Sequence, residues 1–239
     1  MQPATGRSPR VPVAADVAAA ADRIAPLVRR TPIVTSSLLN RWLGHEFYFK
    51  AECLQQVGAF KARGASNAVA RLCEGGPRPR RIVANSSGNH AQAVAWAAQR
   101  FGLPARIYMP AQVSPIKAAA TREYGAEVVL CPDRAAADGA MTLSVGDLTF
   151  GFIRQADHFY EVEEERIAYW FQWLTHLLKL RIEPTSALAM AAAVSWLAEA
   201  EAKADAPRRV LVILSGGNVA SDAMRRLYAR DYTAQRPGR

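Results

Sequence analysis

The chain has 239 residues, half of them hydrophobic and 21% charged, which describes a globular protein and excludes a disordered one. Lysine and arginine outnumber aspartate and glutamate by 30 to 21, a net charge of +9, but the arginines are spread along the chain. Their densest group, Arg78, Arg80 and Arg81, has no interleaved aromatic and reads as solvated surface, so no nucleic-acid site is expected. Cys53, Cys73 and Cys131 are too few and too far apart for a disulfide framework or a cysteine zinc site, and they suit a reducing, cytoplasmic setting.

Residues 1–13 hold Arg7, Arg10 and three prolines but no apolar run, so they are not a secretory signal and read as a plain disordered tail, with an organellar address as the alternative for so acid-poor a segment. Ala14 to Val28 has a helical apolar period with Asp16, Asp22 and Arg23 on its wet side, and Thr31-Pro32 stops it. His45 to Ala51 alternates like a strand, and Lys61 to Leu72 is helical. A regular series follows: strand Arg81 to Ala84, helix Ala91 to Phe101 closed by Gly102, strand Ala105 to Met109, helix Ser114 to Tyr124 closed by Gly125, and strand Glu127 to Leu130. Strands and helices alternating at these lengths specify a parallel α/β unit. Glu163 to Leu180 and Thr185 to Ala204 are long helical stretches, Val210 to Leu214 is a strongly apolar strand, and Ala220 to Tyr228 is a last helix. The longest mostly apolar stretch, Ser186 to Ala198, is too short to span a membrane and reads as a buried helix.

Ligands of open α/β sheets gather at the carboxyl ends of the strands. Two loops there have suitable composition, Ser86-Ser87-Gly88-Asn89-His90 and Ser215-Gly216-Gly217-Asn218. Small residues before a helix let backbone N–H groups meet a phosphate or a carboxylate. Each loop also reads as a tight strand-to-helix turn. Lys61, after Gly58 and beside Arg63 at a helix start, is either a surface lysine or an amine nucleophile disfavoured as an ammonium by the positive helix end.

Gly58-x-Phe60-Lys61-x-Arg63-Gly64-Ala65, Ser86-Ser87-Gly88-Asn89-His90-Ala91 and Ser215-Gly216-Gly217-Asn218 together resemble the fold-type II (tryptophan synthase β-like) pyridoxal-phosphate enzymes, in the branch of threonine/serine dehydratases and serine racemases. Arg30-Thr31-Pro32, Glu52-x-Leu54-Gln55, Met109-Pro110 with Pro115-x-Lys117, Gly125 to Val129, Ala137-Asp138-Gly139, Leu148-Thr149-Phe150 and Glu183-Pro184 fit in the same order. The resemblance implies pyridoxal 5'-phosphate as cofactor, with Lys61 holding it covalently and moving the Cα proton of a small amino-acid substrate. It implies Phe60 packed by the ring, Asn89 on the ring oxygen, Ser215 on the pyridine nitrogen and Glu183 near the ring. Ser86, Ser87, Gly88, Asn89 and His90 would hold the substrate carboxylate, with Ser87 facing the ring from the side opposite Lys61, where racemases use a second base. The implied reaction is loss of a β-hydroxyl to give a 2-oxo acid and ammonia. A racemising or β-replacing relative, and a catalytically inactive homologue acting as an interaction protein, are the alternatives.

Val57 and Ala59 stand where the family commonly has Thr and Ser. Only Cys131 to Ala136 separate Leu130 from Ala137-Asp138-Gly139. In the family a long segment lies there, with the glycine-rich phosphate loop, two sheet strands and the acidic residues of a metal site, so no metal is expected. The resemblance thus implies two parallel-sheet domains, a small one over 51–134 and a large, internally truncated one from 1–50 and 135–239. Exposed apolar edges at Val210 to Leu214 would invite aggregation or pairing into a homo-oligomer.

Overall fold

A computed structural model describes residues 11–132, 150–151, 153–201 and 206–237. The tail over 1–10, Ala137-Asp138-Gly139, and Leu148 and Thr149 lie outside these residues. Helix α1 (Ala14–Ile24) leads to β1 (Ile33–Val34), α2 (Ser37–Leu43) and β2 (Glu46–Ala51). Two 3-10 turns then precede α3 (Lys61–Glu74), β3 (Ile82–Asn85), α4 (Asn89–Arg100), β4 (Ala105–Pro110), α5 (Pro115–Glu123) and β5 (Ala126–Cys131). The last elements are α6 (Glu164–Leu178), α7 (Pro184–Glu201), β6 (Arg209–Leu214) and α8 (Ser221–Leu227).

Besides the two-residue β1, helix α2 is the element the sequence pattern does not announce. It runs for seven residues, too few to display a period, and its ends define it. Ser36 Oγ accepts the Leu39 N–H at 3.3 Å, and Gly44 closes the helix at φ 71°.

The strands form two three-stranded sheets. One is the parallel β3-β4-β5, and the other is β1-β2-β6, with β1 antiparallel and β6 parallel to β2. The alanines of α4 explain its position. Every residue from Ala91 to Ala98 is buried, because short side chains let the helix sit close to both its sheet and α3. A second core joins Phe47 and Phe49 of β2 to Leu39, Trp170, Phe171 and Leu174.

Burial alternates within two of the apolar strands. In β3, Ile82 is buried but Val83 is exposed. In β6, Val212 and Leu214 are buried while Leu211 and Ile213 are 57% and 43% exposed, since no described element covers that sheet face. Among the described residues no strand pairs with the outer edge of β6. Helix α7 is only partly buried, with Leu188 exposed, and no described helix is long and apolar enough to cross a membrane.

The fold also gathers cations that are scattered in sequence. Arg23, Arg29, Arg30, Lys50, Arg63 and Arg71 line a cleft of about 890 Å³ that runs along α1 and α3. Glu74 and Glu52 answer Arg23 and Arg63. None of the expected site residues lines this cleft.

Candidate active site

Strands β2 and β6 run parallel with Ala51 opposite Leu214, so the segments beginning at Glu52 and at Ser215 leave the sheet side by side at its carboxyl end. β3 ends at Asn85 and delivers Ser86 to His90 into the start of α4.

The segment before Lys61 is fixed by buried polar groups. Gln55, 2% exposed, accepts from the backbone N–H of Arg29 at 2.9 Å and donates to the Arg29 carbonyl at 2.8 Å. The Glu52 carboxylate, also buried, accepts from Thr31 Oγ1 at 2.6 Å and from two nitrogens of Arg63 at 2.7 and 2.8 Å. Burial alone would raise the Glu52 carboxyl; hydrogen bonds from Arg63 and Thr31, then the Arg63 and Lys50 charges, outweigh it and hold the group below the ordinary glutamate range. This explains the Arg30-Thr31-Pro32 and Glu52-x-Leu54-Gln55 stretches: they clamp the turn that carries the lysine. It also turns Arg63 towards Glu52.

The turn itself is left-handed at two successive residues, Val57 at φ 54° and Gly58 at φ 70°. A β-branched residue is strained there. Beyond it, Ala59 forms an isolated antiparallel bridge with Gly216, the Phe60 N–H donates to the Ser215 carbonyl at 3.0 Å, and Gly217 N–H donates to the Gly58 carbonyl at 2.9 Å. Lys61 then opens α3 exposed to solvent, its Nζ 4.9 Å from the centroid of the Phe60 ring.

Asn89 and Glu183 complete the cluster. Asn89 Nδ2 donates to Glu183 Oε1 at 2.8 Å, and the Glu183 N–H donates to the Gly216 carbonyl at 2.7 Å. Ser215 Oγ lies 3.4 Å from Ser186 Oγ, itself fully buried. His90 is open to solvent at one side; partial desolvation first, then the charge of Lys61, pushes its imidazole below the ordinary histidine range. Ser87 and Gly88 are buried, and Gly88 N–H donates to Ser86 Oγ at 3.2 Å. Phe60, Lys61, Asn89, Glu183 and Ser215 therefore belong to one interlocked group of loops, with Ser86 to His90 leading into it. Ser186 and Asn218 are members that the sequence did not single out; Asn218 closes the Ser215-Gly216-Gly217-Asn218 loop, and only that position hinted at it.

A sequence model described as "Pyridoxal-phosphate dependent enzyme" matches residues 24–143, half of the chain. The chain belongs to that family. It is 48% identical over 119 residues to an L-threo-3-hydroxyaspartate ammonia-lyase of Saccharomyces cerevisiae, covering 50% of this chain and 36% of that protein. It is 44% identical over 120 residues to a serine racemase of Schizosaccharomyces pombe, covering 50% and 37%. The chain thus matches little more than a third of the length of these curated relatives. Among solved structures, a threonine deaminase of T.th. superposes with a TM-score of 0.75 at 28% identity, over 87% of this chain and 99% of that one. The fold is accordingly that of the fold-type II pyridoxal-phosphate enzymes, a mixed α/β architecture with parallel sheets.

The residues present fit the ring end of that cofactor. They offer a solvent-accessible amine, an aromatic ring beside it, an amide with one N–H hydrogen left over, and a hydroxyl at the neighbouring loop. Among the described residues no glycine-rich run provides the successive N–H groups that a phosphate needs.

Proposed function

We propose that the chain is a pyridoxal-phosphate-dependent lyase of the threonine/serine ammonia-lyase type, converting a β-hydroxy amino acid to a 2-oxo acid and ammonia. The observation that carries this reading is the placement of Lys61. It begins a helix whose preceding turn is interlocked with the Ser215 loop, and that loop is tied through Glu183 to Asn89.

When bound, pyridoxal phosphate supplies the electron sink for charge developing at the substrate Cα. Lys61 would hold it covalently and carry the Cα proton. Phe60 would flank the ring. The free N–H of Asn89 would donate to the ring oxygen, and Glu183 would hold Asn89 in place. Ser215 would meet the pyridine nitrogen with a neutral hydroxyl, which does not force that nitrogen to be protonated and so suits β-elimination over transamination. The backbone from Ser86 to His90, at the positive end of a twelve-residue helix, would hold the substrate carboxylate. Ser87 would face the ring opposite Lys61, where a hydroxyl could return a proton from the other side. The partner is then a small amino acid and not nucleic acid, and the free cysteines support a reducing, cytoplasmic setting.

A catalytically weak or inactive homologue is the second reading, favoured by the lack of a described phosphate loop. One assay separates the two. With excess pyridoxal phosphate, ammonia release is measured from L-threonine, L-serine and L-threo-3-hydroxyaspartate, with Lys61→Ala as control. Release that the variant loses supports the lyase; D-serine formed in its place indicates a racemase. No turnover of any substrate leaves the inactive homologue.

A further inference from the structure

Asn218 ties together three segments of the site. Its Nδ2 donates to the Val57 carbonyl at 2.7 Å and to Asn89 Oδ1 at 2.9 Å, which uses both amide hydrogens. Its backbone N–H donates to Glu183 Oε1 at 2.9 Å, the same oxygen that accepts from Asn89 Nδ2. The direction of these bonds follows from the carboxylate, which can only accept. Asn89 must therefore turn Nδ2 towards Glu183 and Oδ1 towards Asn218, and the amide orientation is set by the network. One hydrogen of Asn89 Nδ2 remains. In the opposite flip, Asn89 would set oxygen against the Glu183 carboxylate and N–H against the N–H of Asn218.

We propose that Asn218 is a positioning residue that locks the flip of Asn89, so that an N–H and not a carbonyl faces the ring oxygen of the cofactor. The inference rests on the reading above, in which Asn89 meets that oxygen. The packing leaves room for the relay only because two neighbours are glycines. A Cβ on Gly58 would lie 2.8 Å from Asn218 Oδ1, and one on Gly216 would lie 2.8 Å from Glu183 Oε1. The bond from Asn218 to Val57 also joins the relay to the turn that precedes Lys61.

The role predicts an order of variants that simple packing does not. Asn218→Ala removes the donor. Asn218→Asp keeps the shape but replaces the donor with an acceptor, which opposes the Val57 carbonyl and draws the Asn89 N–H away from Glu183. Each protein is titrated with pyridoxal phosphate, and affinity and the absorbance bands of the bound cofactor are recorded, with melting temperatures to verify folding. N218D is expected to bind at least about tenfold more weakly than wild type, with altered band proportions, and N218A to fall between them. Acidification that protonates the introduced carboxylate should restore N218D relative to wild type and leave N218A unchanged. If N218D does not fold, Asn218→Ser carries the test, because its hydroxyl cannot reach both partners and the same band change is expected.

Borohydride reduction of the wild-type complex, followed by peptide mapping, separates the inference from the reading beneath it. Label on Lys61 together with wild-type affinity and bands in N218D, or in N218S if N218D is unfolded, overturns the inference and leaves the reading standing. Label absent from Lys61 removes the reading, and the inference falls with it.

Discussion

Arg63 closes a two-nitrogen grip on the Glu52 carboxylate, 2.8 Å from Nε to Oε2 and 2.7 Å from Nη2 to Oε1, two residues beyond Lys61. The carboxylate is buried and the guanidinium is partly open, so removal of Arg63 strands a charge that water reaches poorly. Arg63→Ala should lower unfolding free energy by about 3 kcal/mol, the lower part of the range for breaking a buried pair. Glu52 binds its proton less readily in the folded chain than in the unfolded one. Its stabilisation is therefore complete above the ordinary glutamate value of about 4.3 and is lost as pH falls through the depressed folded value. Urea unfolding across this window should show a steeper acid loss for wild type than for Glu52→Gln. Equal slopes would contradict the assignment.

Gly58 and Gly216 answer to two different demands. Gly58 combines φ +70° with a 2.8 Å approach to Asn218, whereas Gly216 only lacks space beside Glu183. Gly58→Ala should cost about 2 kcal/mol, from left-handed strain and the clash together. Gly216→Ala should displace Glu183, and so weaken cofactor binding, with a smaller loss of stability. Thermal unfolding and cofactor titration of the two variants measure both effects. Identical behaviour of the pair would refute the distinction.

The uncovered sheet face pairs Tyr48 with Leu211 and Lys50 with Ile213, and Ile33 lies beside Lys50 on β1. Leu211 and Ile213 are substantially exposed at the sheet edge, so we propose that any self-association of the chain runs through β6. Leu211→Lys with Ile213→Thr should reduce self-association in sedimentation velocity and change stability by no more than about 0.5 kcal/mol. A wild-type chain that stays monomeric, or association that the double variant leaves unchanged, would refute the role of β6.

Retention of the cofactor should be poor. A glycine-rich loop would give a phosphate about three charge-assisted hydrogen bonds, each worth about 1.5–3 kcal/mol; no described segment supplies them, which would cost roughly 10³–10⁶ in affinity as an upper range. Desalting should strip the cofactor, and excess should restore its absorbance. Cofactor that survives desalting at stoichiometric level would show that other groups of the chain hold the phosphate.

Much of this organisation was legible in the sequence, for physical reasons that differ by region. From Arg81 to Cys131, strands and helices alternate at regular length, and Gly102 and Gly125 end their helices at positive φ, so the pattern could be read directly. Helix α2 was too short to show a period. The alternating exposure of β6 was hidden because all its residues from Val210 to Leu214 are apolar, and only the neighbouring layers decide which face is covered. The gathering of six cations beside α1 and α3 could not be seen in a chain where arginines are evenly scattered. Asn89, Glu183 and Asn218 were each visible in a motif, yet the relay joins residues up to 129 positions apart and exists only in the fold.

Attachment of the cofactor at Lys61 underlies the whole reading of the site, and borohydride trapping examines it without relying on turnover. The chain is incubated with excess pyridoxal phosphate, reduced, digested and mapped by mass spectrometry. The other lysines are Lys50, Lys117, Lys179 and Lys203, and of the described ones, Lys50, Lys117 and Lys179, none follows a turn locked to the Ser215 loop. Dominant label is expected on Lys61, with loss of the cofactor absorbance band in Lys61→Ala. Dominant label on any other lysine, or an unchanged band in the variant, would contradict attachment at Lys61.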